Sequence, residues 1–232
     1  CIAQGAPVGT IGSITNPTAA QANIATGGNL NIKPETATTW TVGAVFQPAF
    51  LPRFSMSVDY YNIKVKDVIG APLPGDLISA CFGTITSSSA TNPACTVIRR
   101  NPITGGLDGD SAITQGLFAP LDNLGKLATD GIDVAMNYSH EFGDIKWASS
   151  FTGNWTNHSK FQATPSGLNR ECAGYYSVNC SFTGSIQPKY QFSWRNTVSY
   201  GKLDVSLLWR WVSKVRFEPQ QLADDAAAAD AA

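Results

Sequence analysis

The stretch "RFSMSVDYYNIKVKDVI", Arg53 to Ile69, decides how this sequence is read. Phe54, Met56, Val58 and Tyr60 alternate with Ser55, Ser57 and Asp59. Successive side chains of a strand point to opposite faces, so the stretch predicts a β-strand with one apolar and one polar face. The apolar face can pack on the core of a soluble sandwich or meet the hydrocarbon of a membrane. The neighbouring sequence has to choose.

Five other segments repeat the alternation. The apolar parity runs Trp40, Val42, Ala44, Phe46 in one and Ile132, Val134, Met136, Tyr138 in the next. It continues as Ile145, Trp147, Phe151, Trp155, with Ser149 and Gly153 as weak members. Then come Tyr190, Phe192, Trp194, Val198, Tyr200, with Asn196 as an exception, and Leu203, Val205, Leu207, Trp209, Trp211. The charges Asp59, Asp133, Lys146, Lys189, Arg195, Asp204 and Arg210 all take the opposite parity. A sandwich with a wet outer surface would obey the same rule, so parity alone leaves both readings open.

Connection lengths separate them. "QPAFLPR", "SHEFGD" and "GK" join the strands in pairs, while long polar stretches, roughly Lys66 to Asp130 and Asn157 to Gln187, lie between the pairs. Tight turns at one end of an up-and-down sheet and long loops at the other are the habit of outer-membrane barrels. In a compact sandwich such long loops would count against the assignment. Tyr190 and Tyr200 bracket one strand; at about 3.3 Å per residue and a tilt near 40° they lie about 25 Å apart along a barrel axis. The same arithmetic puts Trp147 and Trp155 about 20 Å apart, near the height of the apolar band between two aromatic girdles.

Composition agrees. Of the 232 residues 14% are charged, against roughly 25% for an average soluble domain, and the net charge of −1 gives no basic face for nucleic acid. With a mean hydropathy of −0.07, and no run near the ~18 apolar residues of a spanning helix, a helical membrane protein is excluded. A barrel escapes that test, because only every second residue faces lipid. No signal sequence opens the chain and "ADDAAAADAA" closes it without an apolar face, so it reads as a fragment with a disordered or frayed end.

Cys81 with Cys95 and Cys172 with Cys180 form two local pairs in Gly/Ser/Asn-rich loops, while Cys1 is the odd one. Two disulfides would imply an oxidising compartment; a metal site is the rival, without a CxxC and with His140 and His158 far off in sequence. His140 reads as a turn residue and His158 as a loop-base residue, neither a metal ligand. No Ser/His/Asp or paired-carboxylate arrangement has catalytic spacing, so the expectation is no enzyme, no cofactor and no metal.

"GGNLNIKPETATTWTVGAVFQP" followed by "FSMSVDYYNIKVKDVI" resembles the C-terminal barrel half of TonB-dependent outer-membrane receptors. The carrying features are the Asn29–Glu35 segment, the glycine-containing strand after it and the Asp59-Tyr60-Tyr61 strand. "NPACTVIRRNPITGGL" (Asn92 to Leu107) and "NLGKLATDGIDVAMNY" (Asn123 to Tyr138) extend the match in order and spacing, over roughly residues 28 to 216. Pro34 restrains the approach to its strand and cannot lie in a central ladder; Gly131 is expected to begin its strand, at a place where a side chain would crowd the wall.

The resemblance implies an all-β, antiparallel up-and-down transmembrane barrel fragment in the Gram-negative outer membrane. It would have about six long strands, short periplasmic turns and long extracellular loops. Residues 1–35 would form an extracellular loop, 36–216 the six strands with their loops, and 217–232 a loop or disordered end; the plug domain is not in the sequence. The implied function is capture of a scarce nutrient (siderophore, cobalamin or saccharide class) and its import with TonB-coupled energy. The implied partners are outer-membrane lipid, the rest of the barrel and its plug, TonB through the plug region, and the nutrient itself. Parity makes Asp59, Tyr61, Asp133, Lys146, Arg195 and Arg210 the lumen-facing candidates for ligand or plug contact, against a plain network of wall salt bridges and water. Tyr60, Trp209 and Trp211 become lipid-facing. Tyr175 and Tyr176, inside the Cys172–Cys180 loop, are the extracellular ligand candidates, and Arg99-Arg100 a possible anion patch or solvated loop charge. The reading from a different class is a soluble secreted β-sandwich, an adhesin or carbohydrate-binding module; a passive porin is a third.

Overall fold

The computed structural model describes residues 1–83, 85–165, 168–180 and 183–218. The expectation of a disordered end after Glu218 therefore lies outside the described residues. Six long strands dominate: β1 (Thr36–Phe46), β2 (Phe54–Gly70), β3 (Asp122–Phe142), β4 (Ile145–Gln162), β5 (Tyr190–Tyr200) and β6 (Leu203–Val212). Their order in one sheet is β6-β5-β4-β3-β2-β1, with the short strand Arg170–Glu171 added to β4. Neighbours in sequence are thus neighbours in the sheet, as an up-and-down meander requires.

Three strands outrun their sequence signal. With 17, 21 and 18 residues, β2, β3 and β4 exceed the about 9–11 that a tilted strand needs to cross a bilayer. The connection expected from Lys66 to Asp130 shrinks to residues 71–121, and Gly131 lies inside its strand rather than at its start. His140 belongs to the last residues of β3, not to the connection after it. The reason in β2 is that the apolar residues change parity at Tyr60-Tyr61, continuing as Tyr61, Ile63 and Val65. Asn62, Lys64 and Lys66 continue the parity of Phe54 without its hydrophobicity, while the backbone keeps pairing.

Two hairpins are closed by Gly143-Asp144 and Gly201-Lys202, with φ of 62° and 56° at the glycines. A positive φ at the first central position suits a two-residue turn whose twist matches the flanking strands, and only glycine takes it without strain.

The chain divides into two compact units. The first comprises Cys1–Thr36, Lys66–Lys126 and Gln162–Asn169. It holds two helices, α1 (Pro74–Phe82) and α2 (Pro93–Thr96), each begun by a proline whose missing N–H would have no helical partner anyway. Asn92 caps α2 by accepting the Ala94 N–H at 2.9 Å. The Cys81–Cys95 disulfide joins the two helices inside a core of Leu77, Ile98, Leu107, Leu117 and Ala119. Ile24–Ala25 runs parallel to Gly116–Phe118, which pairs on its other side with Ile98–Arg99. Asn23 fixes that junction, its amide donating to the carbonyls of Gly109 and Thr114. Gly116, at φ 71°, has no room for a Cβ against the Asn23 backbone.

The second unit comprises Ala37–Val65, Leu127–Phe161 and the chain from Arg170 onward. The registers of β4, β5 and β6 place the apolar parities on one face. Trp194 lies opposite Phe151 and Trp209, Val198 opposite Trp147 and Val205, and Tyr200 opposite Ile145 and Leu203. Directly opposed residues share a face. The polar exceptions fall together: Asn196 is opposite Ser149 on one side and Leu207 on the other. Each has an indole partner, Trp147 Nε1 donating to Asn196 Oδ1 at 3.2 Å and Trp194 Nε1 to Ser149 Oγ at 2.9 Å. No second sheet covers this face among the described residues: Val205, Leu207 and Trp209 are 60%, 71% and 54% exposed. A contiguous apolar surface of that kind needs a partner, and a lipid bilayer is one.

Candidate functional site

The polar face of the second unit assembles the sequence-predicted residues around Asn154. Its Nδ2 donates to Asp133 Oδ1 at 2.7 Å and to the Tyr61 hydroxyl at 3.2 Å, while its Oδ1 accepts from Thr156. Tyr61 thereby lies across Gly131, where an added Cβ would meet its hydroxyl at 2.5 Å and run into the Trp155 carbonyl. Asp59 lies over Gly43 in the same way, its carboxylate filling the space a side chain there would need. The two glycines are thus notches that let longer neighbours lie flat on the wall.

Asp59, Asp133 and Asn154 line one side of a concavity of about 480 Å³, with Arg210 and Gln191 on the other. Opposite charges facing each other suit a ligand or protein segment with both donors and acceptors. Arg195 donates to Ser206 Oγ at 3.3 Å, and Thr197 shares that hydroxyl at 3.0 Å. Lys146 lies opposite Ser199, and Arg210 opposite Ser193. So Asp59, Tyr61 and Asp133 are brought together, whereas Lys146 and Arg195 stand nearer the tight turns.

At the other end of the strands the Cys172–Cys180 disulfide staples a loop. Tyr175 is 7% exposed, with Arg216 Nη2 donating to its hydroxyl at 2.8 Å and the Arg216 guanidinium over its ring at 5.1 Å. Tyr176 faces outward beside Phe217, ring centroids 5.6 Å apart, in a small sheet formed by Tyr175–Tyr176, Ile186–Gln187 and Arg216–Phe217. Beneath it, Glu218 accepts from Arg170 Nε at 2.9 Å, Ser177 Oγ at 2.8 Å and Asn179 Nδ2 at 2.6 Å. In the first unit Arg99 is held by Gln115 and Phe118, and Arg100 by Gln4 and the Gly105 carbonyl. Burial pushes the Arg100 guanidinium below its ordinary range. Both arginines are tied into the loop fold rather than spread as a free anion patch. Among the described residues no cluster of three or more His, Cys, Asp or Glu side chains is placed to hold a metal ion.

A family model described as "TonB dependent receptor-like, beta-barrel" matches residues 3–230. The chain belongs to the TonB-dependent receptor family. Its six-stranded sheet is accordingly a stretch of that family's barrel. Two solved structures are similar to it. The FrpB iron transporter from Neisseria meningitidis is 12% identical with a TM-score of 0.39, over 80% of this chain and 20% of that one. The siderophore receptor PirA from Acinetobacter baumannii is 18% identical with a TM-score of 0.42, over 82% and 22%. The chain thus spans about a fifth of the length of these structures. No significant match is found among curated proteins.

Parity is the signal for Asn154, which shares the polar-face parity of Lys146. Glu218 carries no sequence signal: its importance comes from Arg170, Ser177 and Asn179 converging on it from about 40 residues away.

Proposed function

We propose that this receptor segment forms part of the wall and outer loops of a Gram-negative outer-membrane importer. The whole receptor binds a scarce nutrient of the siderophore, cobalamin or saccharide class and draws it in with energy delivered by TonB through a plug domain. Membership of the receptor family carries this reading. The uncovered apolar face with its indole-paired polar exceptions supports the membrane placement. In this reading residues 1–35, 71–121 and 163–189 face the medium, and the Gly143-Asp144 and Gly201-Lys202 turns face the periplasm. Asp59, Tyr61, Asp133, Lys146, Arg195 and Arg210 then meet plug or cargo from the wall, and Tyr176 meets ligand from the stapled loop more readily than the buried Tyr175. No catalytic step is involved.

The test is uptake by cells carrying the full-length receptor, with iron, cobalamin or a saccharide made limiting in turn. Growth rescue should require both the receptor and an intact TonB. Rescue that persists without TonB would refute the energy coupling, and recovery of the protein in a detergent-free soluble fraction would favour the secreted β-sandwich.

A further inference from the structure

We propose that the first unit carries a binding cavity for a small, largely apolar molecule bearing a cationic group such as an ammonium. The cavity is about 600 Å³, within the range of about 300–1,000 Å³ typical of small-molecule sites. Its body is apolar, with Leu77, Val97, Phe118 and Leu124 among the lining side chains.

Three observations set the chemistry of the polar end. Thr164 lines the cavity at 7% exposure, and its hydroxyl is buried without a hydrogen-bond partner among the described residues. Buried polar groups of native proteins are nearly always paired, so an orphaned hydroxyl on a cavity wall marks a place where a ligand's polar group fits. Asp76, in the first turn of α1, and Asp122, whose Oδ1 accepts from Asn29 and the Asn123 N–H, also line the cavity, and among the described lining residues there is no Lys, Arg or His. Finally, four lining residues are prolines (Pro72, Pro93, Pro120 and Pro165), which offer carbonyls but no backbone N–H. Asn92 is the one side-chain amide, and its oxygen is already engaged by Ala94. The wall is therefore rich in acceptors and negative charge and poor in donors. A cation that donates hydrogen bonds complements it, and a carboxylate or phosphate is repelled.

This inference is independent of which nutrient the receptor imports. The probes are 2-naphthylethylammonium, 2-naphthylethanol and 2-naphthylacetate, which share a ring and differ in the polar end. Each is titrated against the full-length receptor in detergent by ligand-observed saturation-transfer NMR. The ammonium should bind saturably and about tenfold or more tighter than the alcohol, with the acetate weakest. Thr164→Val, which keeps the side-chain shape and removes only the unpaired hydroxyl, should weaken the ammonium about tenfold. Ala80→Trp, which fills the cavity from α1, should abolish binding. Absence of saturable ammonium binding, acetate binding as tightly as the ammonium, or an affinity unchanged by Thr164→Val would each overturn the proposal.

Discussion

The sharpest consequence of the sheet concerns Asn196, an amide in the middle of the apolar stripe. It lies between Tyr190 and Tyr200 on β5, opposite Ser149 and Leu207, and accepts the Trp147 indole N–H at 3.2 Å. Water would replace that bond on a wet surface; hydrocarbon cannot. Hydrogen bonds of this kind in membranes average about 0.6 kcal/mol in double-mutant cycles and reach about 1.7. The coupling between Trp147→Phe and Asn196→Leu should therefore be about 0.6–1.7 kcal/mol, or roughly 3- to 18-fold in the folding equilibrium. Trp147→Phe alone should destabilise the receptor by about 1–2 kcal/mol, since it leaves the Asn196 oxygen without its donor. Asn196→Leu alone removes the desolvation cost of an amide but leaves the Trp147 indole N–H without its acceptor, so the two effects should roughly cancel, whereas Asn196→Leu combined with Trp147→Phe removes both partners and should be neutral or stabilising. The assay is denaturant unfolding of the full-length receptor from phospholipid vesicles, followed by gel mobility of unheated samples. A coupling of zero, together with Trp147→Phe leaving stability unchanged, would show this face to be hydrated and would refute the wall assignment.

Four further outcomes are expected. Leu207→Arg should cost about 2–4 kcal/mol and sharply lower the outer-membrane yield, whereas Thr197→Arg, on the opposite face, should lose only the Ser206 hydroxyl contact, about 1 kcal/mol; equal yields would contradict the facing. Gly131→Val should cost at least about 2 kcal/mol in the same unfolding assay, and adding Tyr61→Ala should not rescue it, because the Trp155 backbone carbonyl obstructs the new side chain as well. Glu218→Ala removes the carboxylate that Arg170, Ser177 and Asn179 share, at about 3–5 kcal/mol, so proteolysis should cut between residues 170 and 187 in the variant and not in the wild type. Asp108 accepts the Thr18 backbone N–H at 2.7 Å, and that bond holds its carboxyl below the ordinary 3.8. Its contribution is present above that ordinary value and is lost as pH falls through the lower folded value, so a difference in protease sensitivity near Thr18 between wild type and Asp108→Asn should be clear at neutral pH and vanish in strong acid.

The strands were legible where they are amphipathic and illegible where they are not. Ile132 to Tyr138 announce β3 by alternation, yet the strand starts ten residues earlier, at Asp122, in a stretch whose backbone pairs while its side chains carry no periodic signal. Disulfide partners were legible for a different reason: Cys81–Cys95 and Cys172–Cys180 are each local, so spacing alone favours them. The compact build of the first unit was not legible. Asn23 bonds to Gly109 and Thr114 across more than 80 residues, and a long-range junction between two loops leaves no trace in either.

The same distinction explains what happened to the site. Parity tells which side of a wall a residue faces, because one face must match lipid over the part of the strand that crosses the bilayer. It does not tell which inward residue meets which, because a hydrated interior accepts many arrangements. Parity groups Asp59, Tyr61 and Asp133 on the polar face, but the side chain that ties two of them together, Asn154, and the notches that admit them, Gly43 and Gly131, are set by neighbours on other strands. Tyr61 and Asp133 are consequently less available than their parity suggests: both already answer to Asn154, and cargo or plug would have to displace or extend those bonds. On the proposed reading Arg210, across the concavity and opposite only a serine on β5, is the charge whose replacement should change a contact with plug or cargo while disturbing the wall least.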